Sequence, residues 1–307
     1  YHLETKTRLT ARLQELIANG REAIPREIRF STYTLRYPES AWLRIEGMEK
    51  HWERADVHAK LAADHSLWVE TKNISVLRFQ FSTPPGRITI DDQILELDGT
   101  DKPVAWLVKQ EGKWNRSPSN PEALRKRPGL TGPVDDAFMD SFVFVRPTGK
   151  PLNPAVGTWA TSELTAARQL WHDVFRGDAP VIDDTALTAA DVANKNLILW
   201  GDPSSNSAIA KLLPKLPLQW DSKNLVFRGQ TYSAADHAPI LIFPNPVSPG
   251  RYIVLNSGID FRGDAFGTNA HQTPKLPDWA IVDLKTPPDQ RWPGKIVTAG
   301  FFDEAWK

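Results

Sequence analysis

The chain has 307 residues, of which 41% are apolar and 24% are charged, a composition typical of folded globular proteins that argues against intrinsic disorder. Its 37 basic and 37 acidic residues cancel, which argues against a protein that binds nucleic acid mainly by neutralising phosphates. It has no cysteine, which excludes disulfides, thiolate nucleophiles and cysteine-ligated metal sites. No apolar run reaches the ~18–20 residues needed to cross a bilayer. We therefore expect no nucleic-acid partner and no membrane span.

The first predicted element is a helix over residues 3–19. Five apolar residues fall near one of its faces: Leu3, Leu9, Leu13, Leu16 and Ile17. Asn19-Gly20 then supplies a C-terminal stop signal. We assign residues 1–25 to this helix and its exit.

Residues 26–112 are predicted to form an antiparallel β-sandwich, because the apolar period shortens to two. Short apolar runs occur at residues 28–32, 42–44, 68–70, 76–79, 88–90, 94–97 and 104–108. Turn signals separate them, including Pro84-Pro85-Gly86 and Asp98-Gly99. Most of the 12 tryptophans are expected to fill cores. Three in this region are candidate rings for stacking on sugars: Trp42, Trp52 and Trp68.

Residues 113–133 are predicted to be a linker because glycine and proline recur throughout this segment. The linker contains the basic cluster Arg125-Lys126-Arg127. Such a cluster is more typical of solvated linker positions, or of ion pairs, than of a polyanion site.

Residues 134–285 alternate between strand and helix patterns and predict a three-layer, Rossmann-like α/β domain. Continuous apolar runs at 141–145, 196–200, 240–243, 252–255 and 280–283 are expected to be parallel-type strands, and a helix is expected over 158–175. An extended tail is expected over 286–307. The predicted fold class is thus α+β and multidomain, an N-terminal helix plus an antiparallel β-sandwich followed by this α/β domain.

The segment 201–206 is the best ligand-binding candidate. It follows a buried strand and precedes a helix, and it carries Gly201, Asp202, Ser204, Ser205 and Asn206. Free N–H groups at such a helix start can bind an anion or a polar ligand at the carboxyl edge of a sheet. The same residues are also the preferred helix caps, so plain capping is the simpler interpretation.

No complete catalytic set is visible. The chain lacks Gly-x-Ser-x-Gly, His-Glu-x-x-His, Gly-x-Gly-x-x-Gly and Walker patterns, and none of its seven histidines is spaced as a metal pair on one helix turn. We therefore expect neither a metal nor a cofactor.

The weak catalytic candidates are few. Asp236-His237 could act as a base with its orienting carboxylate, although neighbours on an extended chain point in opposite directions. Asp135-Asp136, near Asp140, could bind a cation, cap the following turn or pair with the basic cluster. The hydroxyl of Ser257, after a predicted strand, could attack a substrate only if a base lay nearby.

Several long stretches resemble the C-terminal region of exported prolyl-oligopeptidase-like (α/β-hydrolase) proteins of the planctomycete type. They are residues 30–37, 47–52, 132–142, 199–206, 243–246, 254–258 and 275–280, and they include the strings LWGDPSSN, FPNP, VLNSG and KLPDWA. The resemblance covers nearly the whole chain.

The resemblance implies a location outside the cytoplasm, secreted or periplasmic, and an upstream hydrolase domain that carries the catalytic serine. The helix at 3–19 would then close that domain, and His2 would lie near its catalytic-histidine loop. We therefore expect an accessory region of an esterase or peptidase, which shapes access of a peptide or polysaccharide substrate, or assembly as a homo-oligomer. The alternative is a carbohydrate- or cell-surface-binding module that uses exposed tryptophans.

Overall fold

The computed structural model describes residues 2–20, 24–81, 83, 85–97 and 104–307. It is a mixed α+β protein with an N-terminal helix, and the chain divides into two compact units, Tyr1–Ala123 and Leu124–Lys307. None of the helices within the described ranges has both the length and the apolar character that a membrane span requires.

The first unit begins with α1 (Leu3–Asn19), which confirms the predicted helix; it ends at Gly20, whose φ is 65°. Ten strands follow: β1 Glu27–Thr32, β2 Glu39–Ser40, β3 Leu43–Met48, β4 Ala55–Leu61, β5 Leu67–Lys72, β6 Ile74–Gln80, β7 Arg87–Ile90, β8 Gln93–Glu96, β9 Val104–Gln110 and β10 Lys113–Ser117. They form two five-stranded sheets, in the orders β1-β4-β5-β7-β8 and β10-β9-β6-β3-β2. All neighbours are antiparallel except β5 and β7.

One hydrophobic core is shared by these two sheets. Val57 and Val69 of the first sheet and Leu77 and Phe79 of the second belong to the same buried cluster. Strands β4 and β5 bury alternate side chains, as the period of two predicts. The first unit is therefore β-rich and sandwich-like.

The predicted linker over 113–133 is wrong at its start. Residues Lys113–Ser117 form β10, which pairs with β9 along its whole length. Trp114 is 2% exposed and its neighbours in the strand are polar, which is the alternation expected of a strand. The glycines and prolines farther along the segment hid this pattern in the sequence. The predicted turns at Pro84-Pro85-Gly86 and Asp98-Gly99 lie partly or wholly outside the described residues.

The second unit contains three α-helices and ten strands. The helices are α2 Pro154–Phe175, α3 Ala189–Asn194 and α4 Ser207–Leu212, and short 3₁₀ turns occupy Val134–Phe138, Asp184–Ala186, Leu213–Lys215, Gly263–Gly267 and Asn269–His271. The strands are β11 Phe142–Arg146, β12 Val181–Asp183, β13 Asn196–Leu199, β14 Leu218–Trp220, β15 Asn224–Phe227, β16 Gln230–Ser233, β17 His237–Asn245, β18 Ser248–Leu255, β19 Trp279–Asp283 and β20 Lys295–Gly300. Helix α2 begins four residues before the predicted start because Pro154 opens its first turn.

A seven-stranded sheet in the order β12-β11-β13-β18-β17-β19-β20 organises this unit. Strands β12, β11, β13 and β18 are parallel neighbours, whereas β17 is antiparallel to both β18 and β19. The prediction that the runs at 240–243 and 280–283 are parallel-type strands is therefore wrong. Both strands are buried on both faces, which is why their apolar runs looked like those of a parallel sheet. The predicted extended tail over 286–307 is also wrong in part, since it supplies the edge strand β20.

The basic cluster is ordered within the second unit. Lys126 and Asp278 form an ion pair with 2.7 Å between Nζ and Oδ2, and both side chains are fully buried. Oδ2 of Asp278 also accepts the N–H of Phe302, and the ring centroid of Trp306 lies 5.2 Å from Nζ of Lys126. We call Lys126, Asp278, Phe302 and Trp306 the buried clamp. It joins the start of the unit to the segment that follows β20.

Candidate functional site

The loop 201–206 lies at the carboxyl end of β13, beside the segment that leaves β11. In the strand order the chain goes from β11 to β12 on one side and from β13 to β17 on the other, and open α/β sheets commonly bind ligands where such a reversal occurs. Here the two loops close on each other, since the N–H of Gly149 donates to the carbonyl of Ser205 at 2.8 Å. A Cβ on Gly149 would lie 2.7 Å from the carbonyl oxygen of Ser204, so glycine is needed for this close approach.

The polar side chains of this loop bind the protein itself. Asp202 is fully buried and accepts the N–H groups of Leu152, Ser204 and Ser205, each at 2.9 Å. Asn206 caps α4 by accepting from Ala208 at 3.0 Å, and its amide donates to two backbone carbonyls. Only Gly201 and Ser205 of the five predicted residues line the shallow cleft beside α2. The geometry favours the capping interpretation.

Asn206→Ala is expected to lower the free energy of unfolding of the second unit by about 1–2 kcal/mol, because α4 loses its cap. Urea denaturation followed by hydrogen exchange of α4 amides measures this loss. Asn206→Asp, which keeps a capping oxygen, should lose less. A variant that keeps full stability would show that Asn206 is free for a ligand.

Asp236 and His237 are in contact, contrary to the expectation from strand alternation. Asp236 lies in the turn before β17, so the two side chains converge with 2.8 Å between Oδ1 and Nδ1. Lys285 also binds Asp236, and this hydrogen bond holds the pKa of the carboxyl below its usual value. The hydroxyl of Ser233 is hydrogen-bonded to the same carboxylate. The aspartate therefore lies between serine and histidine, which is the wrong order for an imidazole to activate a hydroxyl.

Asn256 follows β18 with a φ of 53°, the backbone conformation that a strained nucleophile turn would use. Its side chain is buried and holds the loop after β13, accepting from the N–H of Gly201 at 2.8 Å. The hydroxyl of the next residue, Ser257, donates to the carbonyl of Gly258. The turn thus carries an amide at the position where a nucleophile would lie.

This turn forms one wall of a pocket of about 240 Å³ beside α2. Its charged wall contains Glu163 and Arg262, whose ion pair has two N–O contacts of 2.6 and 3.2 Å. Trp292 and Leu276 supply apolar surface, and Asp260 forms part of the floor. The pocket has the mixture of apolar walls and a few fixed polar groups found in small-molecule sites.

Asp260 and Asp135 form a buried carboxyl pair at this floor. Asp135 accepts the N–H of Asp260 at 2.8 Å, and Oδ1 of Asp260 is buried without a hydrogen-bond partner in the described part of the chain. Burial, followed by the charge of Asp260, raises the pKa of Asp135 well above its usual value. Burial also raises the pKa of Asp260. Such a pair can hold or release a proton at moderate pH, whereas an isolated carboxyl would be ionised.

The other acidic candidates have structural partners. Asp136 accepts the hydroxyl of Tyr252 at 2.6 Å, and Asp140 pairs with Arg251. Within the described ranges, no group of three or more histidine, aspartate or glutamate side chains could hold a metal ion. The cation interpretation of residues 135–140 therefore gains no support.

The three tryptophans proposed for stacking lie in different surroundings. Trp42 is only 6% exposed and donates from Nε1 to the carbonyl of Pro25, so its assignment to a stacking surface is wrong. Trp52 is 38% exposed on a turn. Trp68 is half-buried and lines a groove of about 620 Å³ on the face of the sheet that points away from the core. His2 lies exposed before α1.

The pocket residues that sequence reasoning missed have no local signature. Glu163 and Arg262 are 99 positions apart, and Asp135 and Asp260 are 125 apart, so only the folded sheet brings either pair together. No family model matches this chain, and no curated protein or solved structure is similar to it at a significant level.

Proposed function

We propose that this chain is the accessory region of an exported serine hydrolase of the esterase or peptidase class. In this proposal the region packs against the hydrolase domain through α1, bounds access to its active site, and has no nucleophile of its own. The finer fold assignment, a β-sandwich followed by a Rossmann-like domain, belongs to the same proposal.

The exposed apolar face of α1 is the observation that carries the proposal. None of its 17 side chains is buried by any part of the chain that the structure describes, and Leu9, Leu13 and Leu16 are 58%, 49% and 47% exposed. A helix of this length is only marginally stable in water and gains most of its stability by packing its apolar face. A protein domain that covers these leucines would supply that packing.

The second support is the arrangement of the candidate catalytic groups. The hydroxyl of Ser257 donates to a carbonyl rather than to an imidazole. His237 is bound to Asp236, and the hydroxyl of Ser233 is bound to the same carboxylate rather than to the imidazole. Neither arrangement can deliver an activated hydroxyl to an acyl carbon. A hydrolase activity would thus need groups from another domain.

Hydrogen exchange tests the proposal. The amides of α1 should exchange rapidly in the 307-residue chain and at least a hundredfold more slowly in the full polypeptide isolated from its source. In that polypeptide, Leu13→Glu should remove the protection, whereas the control Ala11→Glu, which adds the same carboxylate at an exposed position on the opposite side of the helix, should keep it.

Two results would contradict the proposal. One is equal exchange of α1 in both forms. The other is turnover of acyl esters or peptides by the 307-residue chain alone, lost on treatment with a serine-directed fluorophosphonate.

A further inference from the structure

The outer face of the sheet β1-β4-β5-β7-β8 carries a groove that the proposed function does not use. Alternate side chains of β1, β4 and β5 line it, because successive residues of a strand point to opposite faces. Its volume is about 620 Å³, and its lining includes Arg54, Asp56, His58, Trp68 and Glu70. The groove is formed entirely within the first unit.

Charged side chains in the groove form ion pairs with one another. Arg54 binds Asp56 at 2.8 Å, and Ser31 donates to the same carboxylate oxygen at 2.6 Å. Burial raises the pKa of Asp56, but these two hydrogen bonds outweigh it and hold the pKa below its usual value. The lining holds three arginine or lysine side chains, four aspartates or glutamates and one histidine. It offers oriented donors and acceptors without a net field that would attract a polyanion or a cation.

Trp68 is the aromatic surface of this groove. The ring of His58 meets it edge-on, with 5.2 Å between ring centroids and an angle of 88°. Lys60 is the cross-strand partner of Trp68, and its ammonium lies 5.8 Å from the ring centroid. The side chain of Lys60 is 50% exposed, so a change of rotamer uncovers the ring. His58 is held from its other side by Glu27, with 2.7 Å between Nε2 and Oε1.

We propose that this groove binds a neutral oligosaccharide, whose pyranose ring stacks on Trp68 in place of the Lys60 ammonium while its hydroxyls bond to Arg54, Asp56, His58 and Glu70. An apolar sugar face matches an aromatic ring, and sugar hydroxyls match paired charged groups that both donate and accept. A charged ligand would have to break the existing ion pairs to gain its own. The site is thus specific for uncharged glycan.

Affinity electrophoresis of the 307-residue chain tests this site. Gels contain one soluble neutral polysaccharide each, namely a β-1,3-glucan, hydroxyethylcellulose, xyloglucan or galactomannan, or one of the polyanions alginate and polygalacturonate. At least one neutral polysaccharide should retard the chain, and the polyanions should not. Retardation by none of them, or by the polyanions alone, would overturn the proposal.

Three variants locate the binding. Trp68→Ala should weaken it at least tenfold, whereas Trp106→Ala, which removes an indole from β9 of the other sheet and outside the groove, should leave it unchanged. Lys60→Ala should strengthen it two- to fivefold by uncovering the ring. Equal losses in both tryptophan variants, or equal or weaker binding by Lys60→Ala, would contradict stacking on Trp68. Thermal unfolding of each variant confirms that the sheet is intact, and loss of binding in Arg54→Gln provides a second readout if Trp68→Ala unfolds.

Discussion

Asp278→Ala is expected to lower the free energy of unfolding of the second unit by about 3–5 kcal/mol. The change leaves the ammonium of Lys126 buried without its counter-ion and leaves the N–H of Phe302 without its acceptor. The buried ammonium and the buried N–H then have no partner to offset the free-energy cost of removing them from water. Urea unfolding, followed through hydrogen exchange of β17 and β19 amides, reports on this unit specifically.

A double-mutant cycle separates the ion pair from simple loss of packing. Lys126→Met and Asp278→Asn should each cost several kcal/mol, but the double variant that carries both should cost far less than their sum, because no charge then remains buried. Lys285→Met is the matched control. This lysine pairs with Asp236 at 2.6 Å but is 69% exposed, so the unfolding midpoint should not move. If the losses in free energy of unfolding simply add, the ion pair contributes nothing and the buried clamp stabilises the unit through packing alone.

Asp135→Asn is expected to stabilise the second unit near pH 7 and to have little effect near pH 3. In the folded protein the pKa of Asp135 is raised well above its usual value, and the pKa of Asp260 is raised as well. Between the usual carboxyl pKa and these raised values the folded state binds more protons than the unfolded state. The contribution of the pair is therefore complete at low pH and is lost as the pH rises through the raised values. An asparagine keeps the acceptor for the N–H of Asp260 and removes the repulsion.

Thermal unfolding between pH 3 and pH 8 measures this difference. Asp191→Asn gives a control of opposite sign, because hydrogen bonds from Lys195 and Thr188 lower the pKa of Asp191 to about 2. Its carboxylate stabilises the fold above pH 4, and that contribution disappears as the pH falls through about 2. If Asp135→Asn destabilises the protein at pH 7, the carboxyl groups of Asp135 and Asp260 do not repel each other in the folded state.

Periodicity predicted the local elements well where apolar residues recur on one face of an element. The spacing of leucines gave α1 its bounds, and the alternation in residues 26–112 gave a β-rich unit. Periodicity did not predict strand direction. Strands β17 and β19 are buried on both faces, and a continuous apolar run looks the same in a parallel and in an antiparallel strand. The strand β10 was missed because glycine and proline dominate the segment that follows it.

Local sequence could not reveal the candidate site, because its chemistry depends on contacts between distant positions. Asp202 and Asn206 were identified as polar residues at a strand end, yet they satisfy the backbone around them. Asp260 lies in a loop with no motif, and its burial in the folded unit is what raises the pKa of its carboxyl. The sequence pattern around Trp42 and Trp68 is similar. Only the structure shows that the ring of Trp42 is buried in the core, whereas the ring of Trp68 lines the groove.

The buried clamp has a consequence for the order of folding during synthesis. Lys126 and Asp278 are separated by 152 positions, and the backbone of Lys126 also bonds to Glu304. The first unit ends at Ala123 as a compact unit of its own, so it can close while the ribosome is still translating the second. The second unit must wait until Trp306 has emerged from the exit tunnel. During that interval the apolar strands of its central sheet are exposed to chaperones and proteases.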